Sequence, residues 1–328
     1  MYSDLLLHRH AMMGSGSGPG PDLSEPFTIE AKEDNTPIVA KSSYEEKTLL
    51  YSLDNGATWQ SATANFHGTT IATINTGQTI QFKGDNFCSH VYIIAQDLST
   101  YEDKPFYAYG NIMSLLSAEN FENLTEVPEG CFLGFFAGSL VDIKPDHRLL
   151  LPATTLGVGC YENMFYGCTG LTAAPELPAT ILAAGCYDNM FFNCTSLEAA
   201  PELPATILAA GCYAYMFSGC SSLTAAPELP ATTLMVECYK GMFSRCTGLT
   251  TTPELPASTL VDNCYEEMFL GGENLEYVTC LATDISAVGS TYDWLNGVAA
   301  TGTFRKATGV NWPTDTYGIP EGWTVVEA

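Results

Sequence analysis

The residues best placed to do chemistry are cysteines. Cys160, Cys186, Cys212, Cys238 and Cys264 recur every 26 residues, Cys131 precedes them, and Cys168, Cys194, Cys220 and Cys246 repeat eight residues behind the first four. Cysteines at such intervals could form disulfides, hold zinc, or line up as buried thiols. Stacking 26-residue units would bring column neighbours to about 5 Å, within the Cα range of a disulfide, but parallel Cβ vectors make a poor S–S torsion. No C-x-x-C pair is present, and an eight-residue step is not a zinc spacing. The spacing therefore predicts a structural ladder of reduced thiols acting as small hydrophobes, with disulfides as the alternative. Such a ladder suits a reducing or anaerobic setting.

Carboxylates form a second file. Glu176, Glu202, Glu228 and Glu254 also recur every 26 residues, and like charges stacked about 5 Å apart must be hydrated or share cations. One carboxylate per repeat offers too few oxygens for a typical Ca²⁺ shell, so a solvated stripe is expected, with a Ca²⁺-binding or basic-partner stripe as the alternative. The histidines His8, His10, His67, His90 and His147 have no paired spacing, and no phosphate-binding, zinc-protease or serine-hydrolase motif occurs. The sequence thus predicts no catalytic residues, no cofactor and no metal. A formal net charge of −25 disfavours nucleic acid and anionic lipid as partners. No window approaches the roughly 18 to 20 uninterrupted apolar residues of a spanning helix.

Those columns belong to an internal repeat. Aligned copies begin CYENMFYGC at Cys160, CYDNMFFNC at Cys186, CYAYMFSGC at Cys212, CYKGMFSRC at Cys238 and CYEEMFLGG at Cys264, after a degenerate copy from Cys131. Within a copy, C-Y-x-x-M-F-x-x-C places apolar groups on one face of two helical turns, predicting a short helix or 3₁₀ turn. The following L-T-A-A-P-E-L is extended, since its Pro cannot sit inside a helix, and P-A-T-x-L turns the chain back. The Met, Phe and Tyr columns are expected in the core. Positions that vary between copies are free of that duty and are expected to point outward, which singles out Tyr166, Phe192 and Tyr215 as candidate ligand-binding aromatics for a sugar or a partner's pocket.

Upstream, residues 27–112 break into short runs rich in β-branched and aromatic residues, separated by turn signals, and predict a small Ig-like β-sandwich. Ser52-Leu53-Asp54-Asn55-Gly56-Ala57-Thr58-Trp59 has the form of an Asp-box, a hairpin motif in which Asn55-Gly56 supplies positive φ and Trp59 covers the base. Residues 1–26 read as a flexible tether, Gly14 to Pro21, preceded by a segment whose Leu5, Leu6, Met12 and Met13 are candidate partner-docking residues. The start lacks the basic-then-apolar form of a secretory signal, which is an expectation against ordinary export. The fold class is therefore β-rich: a sandwich, a linker or cap over 113–130, a leucine-rich-repeat solenoid over 131–289 with short helical or 3₁₀ turns, and a C-terminal cap over 290–328.

The strings G-C-T-G-L-T, L-P-A-T-x-L and G-C-Y-x-x-M-F-x-G-C resemble the leucine-rich repeats of the BspA-like class found in Bacteroides and Treponema surface proteins. The resemblance spans about residues 131–289 and implies a surface binding protein, with adhesion to host matrix, cells or glycans as the usual role. Without an export signal, a virion or phage exterior component that recognises a host glycan or protein is preferred. A structural decoration protein docked on particle proteins and a bacterial cell-surface adhesin are the alternatives, and a homo-oligomer is compatible with each.

Overall fold

The computed structural model describes residues 22–87 and 91–328; Leu5, Leu6, Met12 and Met13 lie outside the described residues. Among those described, the fold is β-rich with several sheets and almost no helix, the helical content being 3₁₀ turns at Ile112–Leu115 and Phe121–Asn123.

The first part of the chain builds eight strands: β1 (Thr28–Ala31), β2 (Thr36–Ser42), β3 (Lys47–Ser52), β4 (Gln60–Ala64), β5 (Thr69–Ile74), β6 (Thr79–Lys83), β7 (Val91–Ala95) and β8 (Phe106–Asn111). One sheet runs β8-β1-β6-β3-β4 and a second runs β5-β2-β7, with antiparallel pairing throughout. Strict alternation in β6 and β7 turns Ile80, Phe82, Val91, Ile93 and Ala95 to the interior, as a half-buried strand must. The β3–β4 hairpin carries the Asp-box. Asn55 and Gly56 have positive φ, and hydrogen bonds from the Thr58 hydroxyl (2.6 Å) and backbone N–H (2.8 Å) hold the Asp54 carboxyl at about 2, below its usual value.

Residues 113–130, read as a linker or cap, contribute Met113, Leu115 and Leu116 to the core. They include β9 (Glu126–Val127) and lead into β10 (Val141–Ile143), β11 (Leu149–Leu150) and β12 (Thr155–Leu156). Strands β10 and β11 pair in parallel with β8, so the first copy completes the larger sheet. Its core is continuous with the sheets: the Phe27 ring meets Phe82 at 5.8 Å on one side and Phe135 and Phe136 at 5.8 and 5.9 Å on the other.

From Cys131 onward the expected helices are absent, and chain geometry explains why. A residue with positive φ falls every fourth position: Gly159, Asn163 and Gly167 in one copy, Gly185, Asn189 and Asn193 in the next. A left-handed residue at that interval breaks any α-helix and closes a tight turn instead. The apolar period of four fits a helical face and a ladder of turns equally well, so Gly and Asn at the fourth and eighth positions decide between them. Backbone accounting is complete along the motif. Cys160, Glu162, Met164, Tyr166 and Cys168 donate N–H to carbonyls three residues back, while Tyr161, Asn163, Phe165 and Gly167 donate to Cys186, Asp188, Met190 and Phe192 of the next copy.

That ladder continues past residue 289. Tyr265, Glu267, Phe269 and Gly271 donate to Ser290, Tyr292, Trp294 and Asn296, so the expected cap opens with one more copy in which Trp294 replaces the core methionine. The extended Pro-Glu stretches pair sparsely in the middle copies, where an isolated bridge joins Ala173 to Ala199, because proline removes a ladder donor. They become a parallel sheet at the far end through β13 (Thr251–Leu255), β14 (Tyr277–Cys280), β15 (Thr303–Lys306) and β16 (Thr324–Glu327). Trp294 and Trp312, stacked at 5.3 Å, with Phe304 and Trp323 cover this end of the core.

Candidate functional site

Three columns of side chains fill the interior of the copies. Tyr161, Tyr187, Tyr213, Tyr239 and Tyr265 stack face to face at 5.7–6.1 Å, and Phe136, Phe165, Phe191, Phe217, Phe243 and Phe269 at 5.2–5.8 Å. Methionines Met164, Met190, Met216, Met242 and Met268 are fully buried beside them. The cysteines complete the packing. Cys160, Cys168, Cys186, Cys194, Cys212, Cys220, Cys238 and Cys246 are buried and free, and desolvation raises the Cys160 and Cys246 thiols to about 12. The second column does more than fill space: the thiols of Cys168, Cys194, Cys220 and Cys246 donate to the carbonyls of Phe136, Phe165, Phe191 and Phe217 at 3.0–3.1 Å. Cys131, placed by sequence in the thiol ladder, is instead disulfide-bonded. It sits in the degenerate first copy, against the sheets, where the regular 26-residue step has not yet begun.

On the outside of this rigid ladder, Tyr166 and Phe192 occupy the seventh position of adjacent copies. Their rings stack at 4.9 Å with only 3° between planes, and Tyr166 is 40% exposed. Their backbones are fixed at both polar groups. Tyr166 N–H donates to Asn163 O and Phe192 N–H to Asn189 O at 3.0 Å, while their carbonyls accept from Gly138 and Gly167 at 2.7 Å. The same position holds Ala137 in the preceding copy and Ser218 in the following one, side chains too short to cover the outer ring faces. The pair is thus a preformed two-ring platform.

Tyr215 does not join it. It sits at the fourth position, half-buried, with its ring against Gly241 and its hydroxyl donating to Glu267 at 3.2 Å. Burial and Glu267 push its ionisation well upward. Of the variable positions expected to face outward, Ala214, Ser218 and Ser244 are buried.

Charge around the copies is uneven. The glutamate file is met at its two ends by arginine, with Arg148 against Glu176 and Arg305 against Glu254 at 3.6 Å; among the described residues no ion pair reaches Glu202 or Glu228. A second acidic set lies nearer the turns: the Asp188 carboxyl is pushed up to about 6 by burial, then by the charges of Glu162 and Glu237. Among the described residues no three His, Cys, Asp or Glu side chains gather to hold a metal ion, and no helix is long and apolar enough to cross a membrane.

Two features escaped the sequence reading. A cleft of about 470 Å³ opens where the longer first copy meets the next, walled by Ile143, Leu149, Leu151, Pro152, Pro175 and Pro178. Only the three extra residues of that copy hinted at it. The other is a run of exposed aliphatic side chains, Ile181 and Ile207 foremost. Here a signal existed: in P-A-T-I-L only one of two adjacent apolar residues can enter the core, and Leu208, not Ile207, does so.

Comparison with protein-family models, curated proteins and solved structures finds no match for this chain.

Proposed function

We propose that this chain is a non-enzymatic binding protein of a particle or cell exterior, and that Tyr166 and Phe192 form its ligand platform. The single observation that carries the reading is the parallel-stacked, partly exposed ring pair held on a hydrogen-bonded ladder. A stacked pair with uncovered outer faces and edges suits the apolar face of a sugar ring, with little ordering cost because the backbone is already fixed. A surface glycan is therefore the preferred ligand. In fold terms the reading is a leucine-rich-repeat-type solenoid fronted by an Ig-like sandwich; the hydrogen bonds between residues 25 apart and the two antiparallel sheets support it. The Cys131 disulfide favours an oxidising exterior, while deep burial protects the remaining ladder thiols from the same oxidant. A virion exterior reached by assembly or lysis is the preferred location, in line with the resemblance of the repeats.

The test is binding of the full chain to an array of cell-surface oligosaccharides. Tyr166→Ala with Phe192→Ala should lower affinity about 10- to 100-fold, as expected for two lost ring contacts, and Tyr215→Ala should leave it unchanged. Undiminished binding by the double variant would remove the platform from the site.

A further inference from the structure

A second surface is built of groups the fold does not need. Val158, Ile181, Ile207, Met235 and Val236 are exposed, Ile181 at 59% and Ile207 at 78%, and Ala184 and Ala210 lie exposed among them. They follow one another up the stack. Leu156 N–H donates to Ile181 O, Gly159 to Ala184, Gly185 to Ala210 and Gly211 to Val236, so the side chains form a continuous ribbon across four copies. The ribbon occupies the return turn of each copy, far along the contour from Tyr166 and Phe192.

Its charge is as telling as its apolarity. The chain carries 37 acidic residues against 12 basic ones, yet Leu177–Tyr187 and Leu203–Tyr213 contain no charged residue at all. Carboxylates begin at the margins with Glu162, Asp188 and Glu237. This composition narrows the occupant. A glycan needs aromatic faces or hydrogen-bonding side chains, and the ribbon offers Ile, Val, Met and Ala. An anionic lipid surface needs basic or aromatic flanks, and the flanks here are acidic. What remains is an apolar protein surface.

We propose that the occupant is a second copy of this chain, the two ribbons meeting about a two-fold axis. Two chains of net charge −25 repel wherever their carboxylates face each other, and the ribbon is where that repulsion is absent. A straight stripe of evenly spaced aliphatic ridges is complementary to itself when reversed, as an isologous interface requires. The exposed parts of these side chains amount to roughly 500 Å² per copy, so pairing buries about 1,000 Å², the lower bound for a specific interface. A weak dimer results, and on a multivalent surface it doubles the number of platforms presented together. The inference is independent of what Tyr166 and Phe192 bind.

Sedimentation equilibrium of the full chain tests it. The wild type should shift from a 35.3 kDa species toward twice that mass with a midpoint near ~10 µM. Ile181→Lys with Ile207→Lys should raise that midpoint at least tenfold while leaving the thermal melt unchanged, and Tyr166→Ala with Phe192→Ala should leave the midpoint where it is. A chain that stays monomeric at about 100 µM overturns the proposal, as does a dimer indifferent to the lysine variant. Ile207→Thr, which the neighbouring copy already carries as Thr233, keeps the test decisive if lysine disturbs folding: it must weaken the dimer too.

Discussion

In the sheets of residues 28–111 a strand finds its partner at an irregular distance, β1 pairing with β6 and β8 and β2 with β5 and β7. In the copies from Cys160 to Gly271 the turns pair with their counterparts 25 residues ahead, and in the longer first copy 28 ahead. Both regions bury aromatic and aliphatic side chains to the same degree, but they distribute the consequences of damage differently. In the copies each residue depends on its nearest neighbours, so stability approximates a sum over copies and interfaces. In the sheets one residue serves several strands at once.

The largest expected effects come from the two phenylalanines that hold these cores. Phe217 lies between Phe191 at 5.5 Å and Phe243 at 5.7 Å, and Phe82 rests on Phe27, which itself reaches Phe135 and Phe136. Truncation to alanine should cost about 3–5 kcal/mol in either place. Hydrogen exchange separates them. Phe217→Ala should lose amide protection in the flanking copies while the sheets keep theirs, whereas Phe82→Ala should lower protection in both regions because Phe27 couples them. Equal, global loss in both variants would show that the copies do not behave as a linear stack.

Glycines sharpen the same contrast. Gly110 has φ +79°, and a Cβ there would collide with the Pro26 carbonyl, which is backbone and cannot move aside. Gly185 has φ +62° with open space around it. Gly110→Ala should therefore destabilise by more than about 3 kcal/mol, Gly185→Ala by about 1 kcal/mol, and Gly185→Asn by less still, since asparagine tolerates the left-handed region. Chemical denaturation of the three variants checks the ranking.

How much of this was legible in the sequence follows from the same geometry. The copies announce themselves because their constraints repeat: Cys, Tyr, Met and Phe return at fixed intervals, and the interior columns could be named in advance. What spacing could not decide was helix against turn ladder, because an apolar period of four serves both, and the deciding signal was Gly or Asn at positions four and eight. Tyr215 and Arg245 hold such positions with positive φ, which masked the rule. The copy at Ser290 was hidden because Thr291, Trp294 and Leu295 replace the usual residues while keeping the spacing. Tyr166 and Phe192 could be proposed because they vary, but their stacking depends on copy-to-copy distance, and Tyr215 was drawn inward by the room that Gly241 leaves. The sheets offered turn signals and strands but no copies to compare, so the pairing of β10 and β11 with β8 could not be foreseen.

Asp188 tests the acidic margin of the copies. Its folded value of about 6 lies above the ordinary 3.8, with burial the leading cause and Glu162 and Glu237 adding to it. The folded state therefore holds the proton more tightly than the unfolded chain. The resulting stability is fully present below pH about 4 and is lost as pH rises through about 6. Asp188→Asn should make the chain more stable at pH 7 by about 1 kcal/mol, allowing for solvent screening of a half-buried group, and should flatten the pH dependence of the melt between 4 and 7. An unchanged profile would mean that the Asp188 carboxyl is itself hydrated in the folded chain and that Glu162 and Glu237 are screened from it.

The smallest effects concern buried hydroxyls, and here the two regions should differ in sign. Ser114 is fully buried at the edge of the sheets, yet its hydroxyl accepts from Phe27 N–H at 3.0 Å and donates to Phe82 O at 2.8 Å. Removing it strands both partners, so Ser114→Ala should cost about 1–2 kcal/mol. Tyr213 is buried in the middle of its column with a hydroxyl that meets no hydrogen-bond partner among the described residues. That group was stripped of water for no return, and Tyr213→Phe keeps the ring stacked between Tyr187 and Tyr239 at 5.7 and 5.8 Å. The substitution should raise stability by about 0.5–1 kcal/mol. Tyr161→Phe should do the same, and the two gains should add, because the substitutions leave both rings stacked on Tyr187 and the two removed hydroxyls share no hydrogen-bond partner. A loss in either tyrosine variant would place a bound water inside the column, making the copies as dependent on satisfied polar groups as the sheets are.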